Sequence, residues 1–420
     1  MRRLFGPSLG IAAAMASAFG TGYFWSDFQK VAQGRPVNTL LGVKTTSASL
    51  SAEAVFRENY ARILKDFPKQ PDPKELKYAG MEGLLASLGD PHTNFFRPEF
   101  AKAFREETQA NFFGVGARLG EDPKGAKLVS VFEDGPAFKA GLRALDVVTA
   151  VDGHIVKGEP TEAIVKRIKG PAGTMVKITV DRPSSPVPLT FTVKRARIIT
   201  PTVETKFFPE TGVGYLSVAM FSEPTAQQFD AGLEKLEKNP MKGLVIDMRG
   251  DPGGLLDVAA EMLSRFVENE VVVKMVLRRG ENGKLVERVE RTSSGMLHNF
   301  SYPIVVLINE DSASAAEIFS GCLRDYGKAK LIGAHTYGKN SVQNLFSLRD
   351  GASAKVTIAK YYLPKSADIG RKVDDDGQYV SGGLLPDIAV EPDFDREMEV
   401  GSPAKDAQLQ RAVQEVLKGR

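Results

Sequence analysis

Three stretches of this 420-residue chain combine residue types that could carry out covalent chemistry. In Asn309-Glu310-Asp311-Ser312-Ala313-Ser314-Ala315-Ala316-Glu317-Ile318, a continuous apolar run over residues 304–308 leads into a helical pattern, so Ser314 falls at a strand-to-helix junction. The backbone holds a serine up there, small neighbours leave room for a substrate, and the N–H groups of the helix start lie close by. A helix-capping serine has the same local signature. Thr336-Tyr337-Gly338-Lys339-Asn340-Ser341-Val342-Gln343 follows another apolar strand, residues 329–333, and supplies Lys339. Lysine is a general base only when neutral, so burial has to depress its pKa by several units from about 10.4. Gln343, four residues on, faces the side of Lys339 in a helix or a strand, and its amide can orient an amine without holding it charged. The ordinary alternative is a solvated Gly-Lys turn. In Arg249-Gly250-Asp251-Pro252-Gly253-Gly254-Leu255, tandem glycines at a helix start offer unhindered N–H groups to an anion or a developing oxyanion, or simply make a tight turn.

Other chemistries fit less well. The lone cysteine, Cys322, excludes an internal disulfide framework and cysteine-based zinc sites. His92, His154, His298 and His335 lie far apart with no metal-binding spacing, so no metal and no cofactor is called for, though a metal bound by carboxylates alone stays open. His335 precedes Lys339 by four, but no acidic residue in that loop is spaced to fix its tautomer as a Ser-His triad demands. A net charge of +3 gives no field of the kind nucleic-acid binding needs.

The elements that must position these loops alternate: strands at 213–218, 243–248 and 304–308, with helices at 225–238, 256–267 and 315–326. That alternation predicts an α/β fold with a largely parallel sheet, whose ligand loops sit at the carboxyl ends of its strands. Strands at 354–363 and 388–390 and a last helix over 406–417 complete it. Upstream, residues 51–108 read as short helices, and residues 109–198 switch to strand period with frequent turn signals. The opening Met1-Arg2-Arg3, the apolar run from Leu4 to Phe19 and Ala16-Ser17-Ala18 read as a signal peptide or an uncleaved anchor over residues 1–25, with a linker over 26–50. Either places the body of the chain across a membrane: in a bacterial periplasm or on the outer face of the cytoplasmic membrane.

Taken together, Asp311 to Ile318 and Tyr337 to Gln343 resemble the carboxyl-terminal processing peptidases, or tail-specific proteases, of serine peptidase family S41. Gly89-Asp90-Pro91-His92-Thr93 looks like that family's helical N-terminal segment, Arg249 to Leu256 like its Pro-Gly-Gly loop, and Tyr361-Tyr362-Leu363-Pro364 with Leu385-Pro386-Asp387-Ile388 like its closing strands. The resemblance implies a crotonase-like protease core over residues 199–395, an inserted PDZ domain over 109–198, and a C-terminal helix over 396–420. It further implies that Ser314 is the nucleophile, Lys339 the base, Gln343 the residue orienting the lysine, and the N–H groups of Gly253 and Ala315 the oxyanion donors. A PDZ domain takes C-terminal peptide tails by strand addition, with Phe113-Gly114-Val115-Gly116 as the carboxylate loop and Ile164 and Ile168 lining the side-chain pocket. Ile164 and Ile168 read equally well as core. By the same analogy, peptide binding repositions the PDZ unit and assembles the dyad.

Three positions depart from the family pattern: Asn340 and Leu145 stand where glycine is usual, and Asp251 where asparagine is common. Asn tolerates positive φ, whereas Leu145 is costly if its position requires it. The expected partners are protein or peptide substrates with free C-terminal tails; an adaptor and a homo-oligomer formed through the N-terminal helices stay open. Two other classes compete: an exported scaffold that captures tails without cutting them, and an acyl-thioester enzyme on the related fold.

Overall fold

The computed structural model describes residues 51–133, 135–279, 283–365, 368–391 and 401–418. The expected leader and linker, residues 1–50, lie outside the described residues. The chain divides into two compact units, Met1–Lys77 and Tyr78–Arg420. In the first, helix α1 (Ala52–Asp66) is capped by the Ser51 hydroxyl, which accepts the Ala54 N–H at 3.2 Å, and it buries none of its residues. Helix α2 (Pro73–Ala86) begins in the first unit and ends in the second. No helix among the described residues is long and apolar enough to cross a membrane.

In the second unit, α3 (Pro98–Thr108) leads to a small, mainly antiparallel β unit. Its sheet runs β1 (Ala117–Asp122), β2 (Gly125–Val131), β3 (Val147–Val151), β4 (Met175–Asp181) and β5 (Leu189–Lys194). Helices α4 (Pro136–Ala140) and α5 (Thr161–Ile168) pack on it, α4 against β5 and α5 against β1, β2 and β3. Its own core holds Leu128, Val148, Ile164, Ile178 and Val193. A two-stranded ribbon, Asn111–Gly114 on Ala196–Ile199, closes the entry and exit of the unit.

The larger part is built on a six-stranded sheet ordered β6 (Val203–Phe208), β7 (Val213–Val218), β8 (Gly243–Asp247), β11 (Ile304–Ile308), β12 (Lys330–Gly333) and β15 (Ile388–Ala389). Only the first pair is antiparallel. All five residues of β8 and of β11 are buried, the mark of a strand covered on both faces. Leu244, Ile246, Val306 and Ile308 pack under helices α6 (Thr225–Glu237), α7 (Leu256–Leu263) and α8 (Ala315–Asp325). The alternate residues Val245, Val305 and Leu307 pack under Leu409, Val413 and Val416 of α9 (Ala407–Lys418). Helix α7 stops at Leu263, four residues earlier than its apolar pattern predicts, and the chain turns there. A second sheet sets β9 (Val271–Arg279) between β10 (Lys284–Arg291) and β14 (Ser353–Tyr362), with β13 (Ser341–Ser347) and Asn94–Phe96 also on β14. The hairpin β9–β10 and strand β13 were not expected.

Candidate active site

Ser314 sits between β11 and α8 with φ 56° and ψ −115°, a left-handed backbone that a side chain bearing Cβ adopts only when its surroundings enforce it. The enforcement is visible. Ser312 donates its hydroxyl to the Met248 carbonyl at 2.8 Å, Ala313 N–H donates to the Asp251 carbonyl at 2.9 Å, and Gly250 N–H donates to Asn309 Oδ1 at 2.9 Å. These bonds fasten the serine loop to the glycine loop. The Tyr337 N–H donates to the Ser312 carbonyl at 3.0 Å and fastens it to the lysine loop.

Glu317, in the first turn of α8, completes the assembly. Its side chain is fully buried, and its carboxylate accepts four hydrogen bonds. Oε1 takes the Thr336 hydroxyl at 2.6 Å and the Gly338 N–H at 2.7 Å; Oε2 takes the Ser314 N–H at 2.8 Å and the Lys339 N–H at 2.9 Å. Burial pushes the carboxyl pKa up while those four donors pull against it. Tyr361 reinforces the junction, its hydroxyl donating to the Lys339 carbonyl and lying 3.5 Å from that of Ser314.

The half-buried Lys339 amine is held below the ordinary lysine range, first by burial and then by the neighbouring Lys355 ammonium; Glu317 and Asp90 oppose the shift. Asp90 and His92 face the same amine across a cavity of about 630 Å³ that Tyr337 and Thr357 also line. Burial raises the Asp90 carboxyl, but bonds from Thr357, Thr93 and the His92 N–H more than offset it and leave it below the usual carboxylate range. The Thr93 hydroxyl donates to Asp90 Oδ2 at 2.6 Å. Sequence reasoning gave no role to Lys355, Asp90 or His92, whose partners lie too far along the chain to leave a local pattern, nor to Glu317, although the Ser314-x-x-Glu317 spacing of a capping box could have signalled it.

The oxyanion arrangement differs from expectation. Gly253 does abut the serine: a Cβ there would lie 2.7 Å from Ser314 Cβ and 2.7 Å from Ala315 N, so only glycine fits. The Ala315 N–H is one of the first-turn donors that a helix leaves without an internal acceptor. The Gly253 N–H, however, donates to Asp251 Oδ1 at 2.7 Å. Asp251 is fully buried, its Oδ2 has no partner, and burial pushes its carboxyl well above the ordinary range.

Other expected residues are placed differently. Lys339 precedes β13, and a bulge between Val342 and Gln343 breaks the same-side spacing. Gln343 Nε2 donates to Ser341 Oγ at 2.8 Å and Thr357 Oγ1 at 3.1 Å, and no hydrogen bond joins it to Lys339. Asn340 does not use positive φ; its amide donates to Asp368 Oδ1 at 2.6 Å. Leu145 does, at φ 73°. His335 stacks on Tyr379 with ring centroids 3.9 Å apart, away from any serine partnership. In the small β unit, Phe113 is exposed and Gly114 pairs with Ala196 on the entry ribbon. The Val115 and Gly116 carbonyls accept from Ala137 N–H at 2.7 Å and Phe132 N–H at 3.0 Å. Val115, Ile164 and Ile168 are 3%, 0% and 3% exposed, so they are core residues and not the lining of an open pocket.

The sequence profile of Peptidase family S41 matches residues 212–390, the span that holds the serine, lysine and glycine loops. A probable CtpA-like serine protease of Staphylococcus saprophyticus is 32% identical over 352 residues, 83% of this chain and 68% of that protein. The carboxy-terminal processing protease CtpB of Bacillus subtilis is 30% identical over 395 residues, 92% of this chain and 78% of that protein. Among solved structures, the photosystem II D1 C-terminal processing protease matches 80% of this chain and 86% of its own at 27% identity, with a TM-score of 0.43. Site and relatives together define a serine peptidase with a mixed α/β fold, acting on proteins. The chain belongs to peptidase family S41, among the carboxy-terminal processing proteases.

Proposed function

We propose that this chain is an exported endopeptidase that cleaves through a Ser314–Lys339 dyad and selects substrates by their C-terminal tails. The observation that carries the dyad is the Glu317 carboxylate, one oxygen of which accepts both the Ser314 and the Lys339 N–H groups. The neutral Lys339 amine takes the Ser314 proton as Oγ attacks a peptide carbonyl. The Ala315 N–H holds the oxyanion, joined by the Gly253 N–H once it leaves Asp251. The lysine ammonium then protonates the leaving amine, and a water, deprotonated in turn by Lys339, releases the acyl group and restores the serine hydroxyl. Gln343 reaches Lys339 only if its present bonds to Ser341 and Thr357 are exchanged.

The small β unit is read as the inserted PDZ domain on a crotonase-like core, in keeping with its mainly antiparallel sheet, its two helices and the Gly116 turn at φ 80°. Tail recognition belongs to that reading. Export, to the periplasm or the outer face of the membrane, rests on residues 1–25. A reporter ending in an apolar tail, incubated with wild type, Ser314→Ala and Lys339→Ala, tests it. Cleavage by the wild type alone is expected; tail binding without cutting by all three contradicts it in favour of a scaffold.

A further inference from the structure

Arg195 follows β5 in the small β unit and is only 9% exposed. Its guanidinium donates to neutral acceptors alone. Nε reaches the Ile168 carbonyl at 2.7 Å, Nη1 the Met175 carbonyl at 2.9 Å and Thr174 Oγ1 at 3.1 Å, and Nη2 the Arg167 carbonyl at 3.0 Å. Among the described residues no carboxylate pairs with it. Arginine stays charged at any working pH, and a buried charge is tolerated when something compensates it. The Arg167 and Ile168 carbonyls belong to the C-terminal end of α5, whose dipole offers at most about half an elementary charge.

That fraction does not balance what surrounds it. Arg195 lines a cavity of about 670 Å³ with Lys139, Met175, Lys194 and Arg197, and no acidic residue lines it. Lys139, Lys194 and Arg197 are exposed, and none of them is in an ion pair with a described carboxylate. The cavity opens between α4 and the ends of β4 and β5, whereas the expected peptide groove runs between β1 and α5. It is therefore a separate feature.

We propose that this cavity is a binding site for a phosphate group, free or carried as the headgroup of an anionic phospholipid. Four cationic residues line this one cavity without acidic competitors. A phosphate has enough oxygens and charge to meet three or more of them at once, where the two oxygens of a carboxylate satisfy fewer. Met175, 54% exposed at the rim, offers an apolar contact beside the charge.

The test uses the full chain and a Lys194→Gln/Arg197→Gln double variant, whose exposed positions leave the fold intact, as matched thermal melts without phosphate would verify. Calorimetric titration with inorganic phosphate is expected to give binding that weakens as salt is raised and falls at least roughly tenfold in the variant. Co-sedimentation with phosphatidylglycerol against phosphatidylcholine vesicles separates the sources. Phosphatidylglycerol-selective retention lost in the variant assigns a lipid headgroup, and phosphate binding without retention assigns a free anion. Retention through the apolar N-terminal run would be equal in both proteins. Neither phosphate binding nor phosphatidylglycerol preference, or equal affinities in wild type and variant, overturns the proposal. None of these readouts depends on peptide cleavage.

Discussion

Ser314 and Lys339 donate their backbone N–H groups to a single atom, Oε2 of Glu317, at 2.8 and 2.9 Å. The geometry of the proposed dyad thus depends on a carboxylate outside the reacting pair. Removing it in Glu317→Ala leaves four donors without their acceptor, each costing about 1–3 kcal/mol when buried. Chemical denaturation should show a loss of at least about 3 kcal/mol. Glu317→Gln keeps the volume but turns an NH₂ group toward donors, so kcat should fall at least about 100-fold with KM nearly unchanged. A rise in KM with kcat unchanged would show that Glu317 serves substrate binding instead.

The pH profile follows from the Lys339 environment. Its amine must be neutral to act, so kcat/KM should rise with pH through a value below that of ordinary lysine. Lys355 disfavours the charged form of Lys339; replacing it by Met removes that repulsion, raises the Lys339 pKa and moves the rising limb to higher pH. A limb that stays in place, or moves to lower pH, contradicts this assignment. Stopped-time assays of the reporter across pH suffice to decide.

Asp251 makes a prediction of opposite sign. It is buried beside the serine with its pKa raised, and its ionisation would put negative charge next to the developing oxyanion while strengthening its hold on Gly253 N–H. Wild-type kcat/KM should therefore fall as pH rises through the titration of that carboxyl, which lies above the ordinary carboxylate range. Asp251→Asn offers the same acceptor without the charge and should abolish the decline. Superposable pH profiles of wild type and Asp251→Asn would remove Asp251 from the account.

Leu145, at φ 73° and 54% exposed, carries backbone strain that no packing returns. Leu145→Gly should raise stability by about 1 kcal/mol, read as a shifted denaturation midpoint with unchanged slope. A destabilised variant would mean that the leucine side chain contributes more than its backbone costs.

These residues also show what the sequence made legible. Strands β8 and β11 are buried on both faces, so their unbroken apolar runs were readable, and the serine and glycine loops fell at their carboxyl ends as open sheets require. Leu145 was recognisable as a misfit only through the family resemblance, whose pattern has glycine there, and the structure puts it at positive φ. Strand β10, almost wholly exposed and rich in charge, has no apolar period, and its pairing with β9 is a tertiary choice. Gln343 was misplaced because a bulge shifts the strand register, which spacing cannot reveal. The Gly253 N–H was assigned outward, whereas the Asp251 side chain two residues earlier competes for it.

The dyad is tested most directly by trapping its intermediate. Rapid acid quench of a reporter reaction, followed by peptide mass spectrometry, should find the acyl group on Ser314 in the wild type and none in Lys339→Ala at the same time points. An acyl group on another residue, or acylation of Ser314 at the wild-type rate without the lysine, would contradict the mechanism.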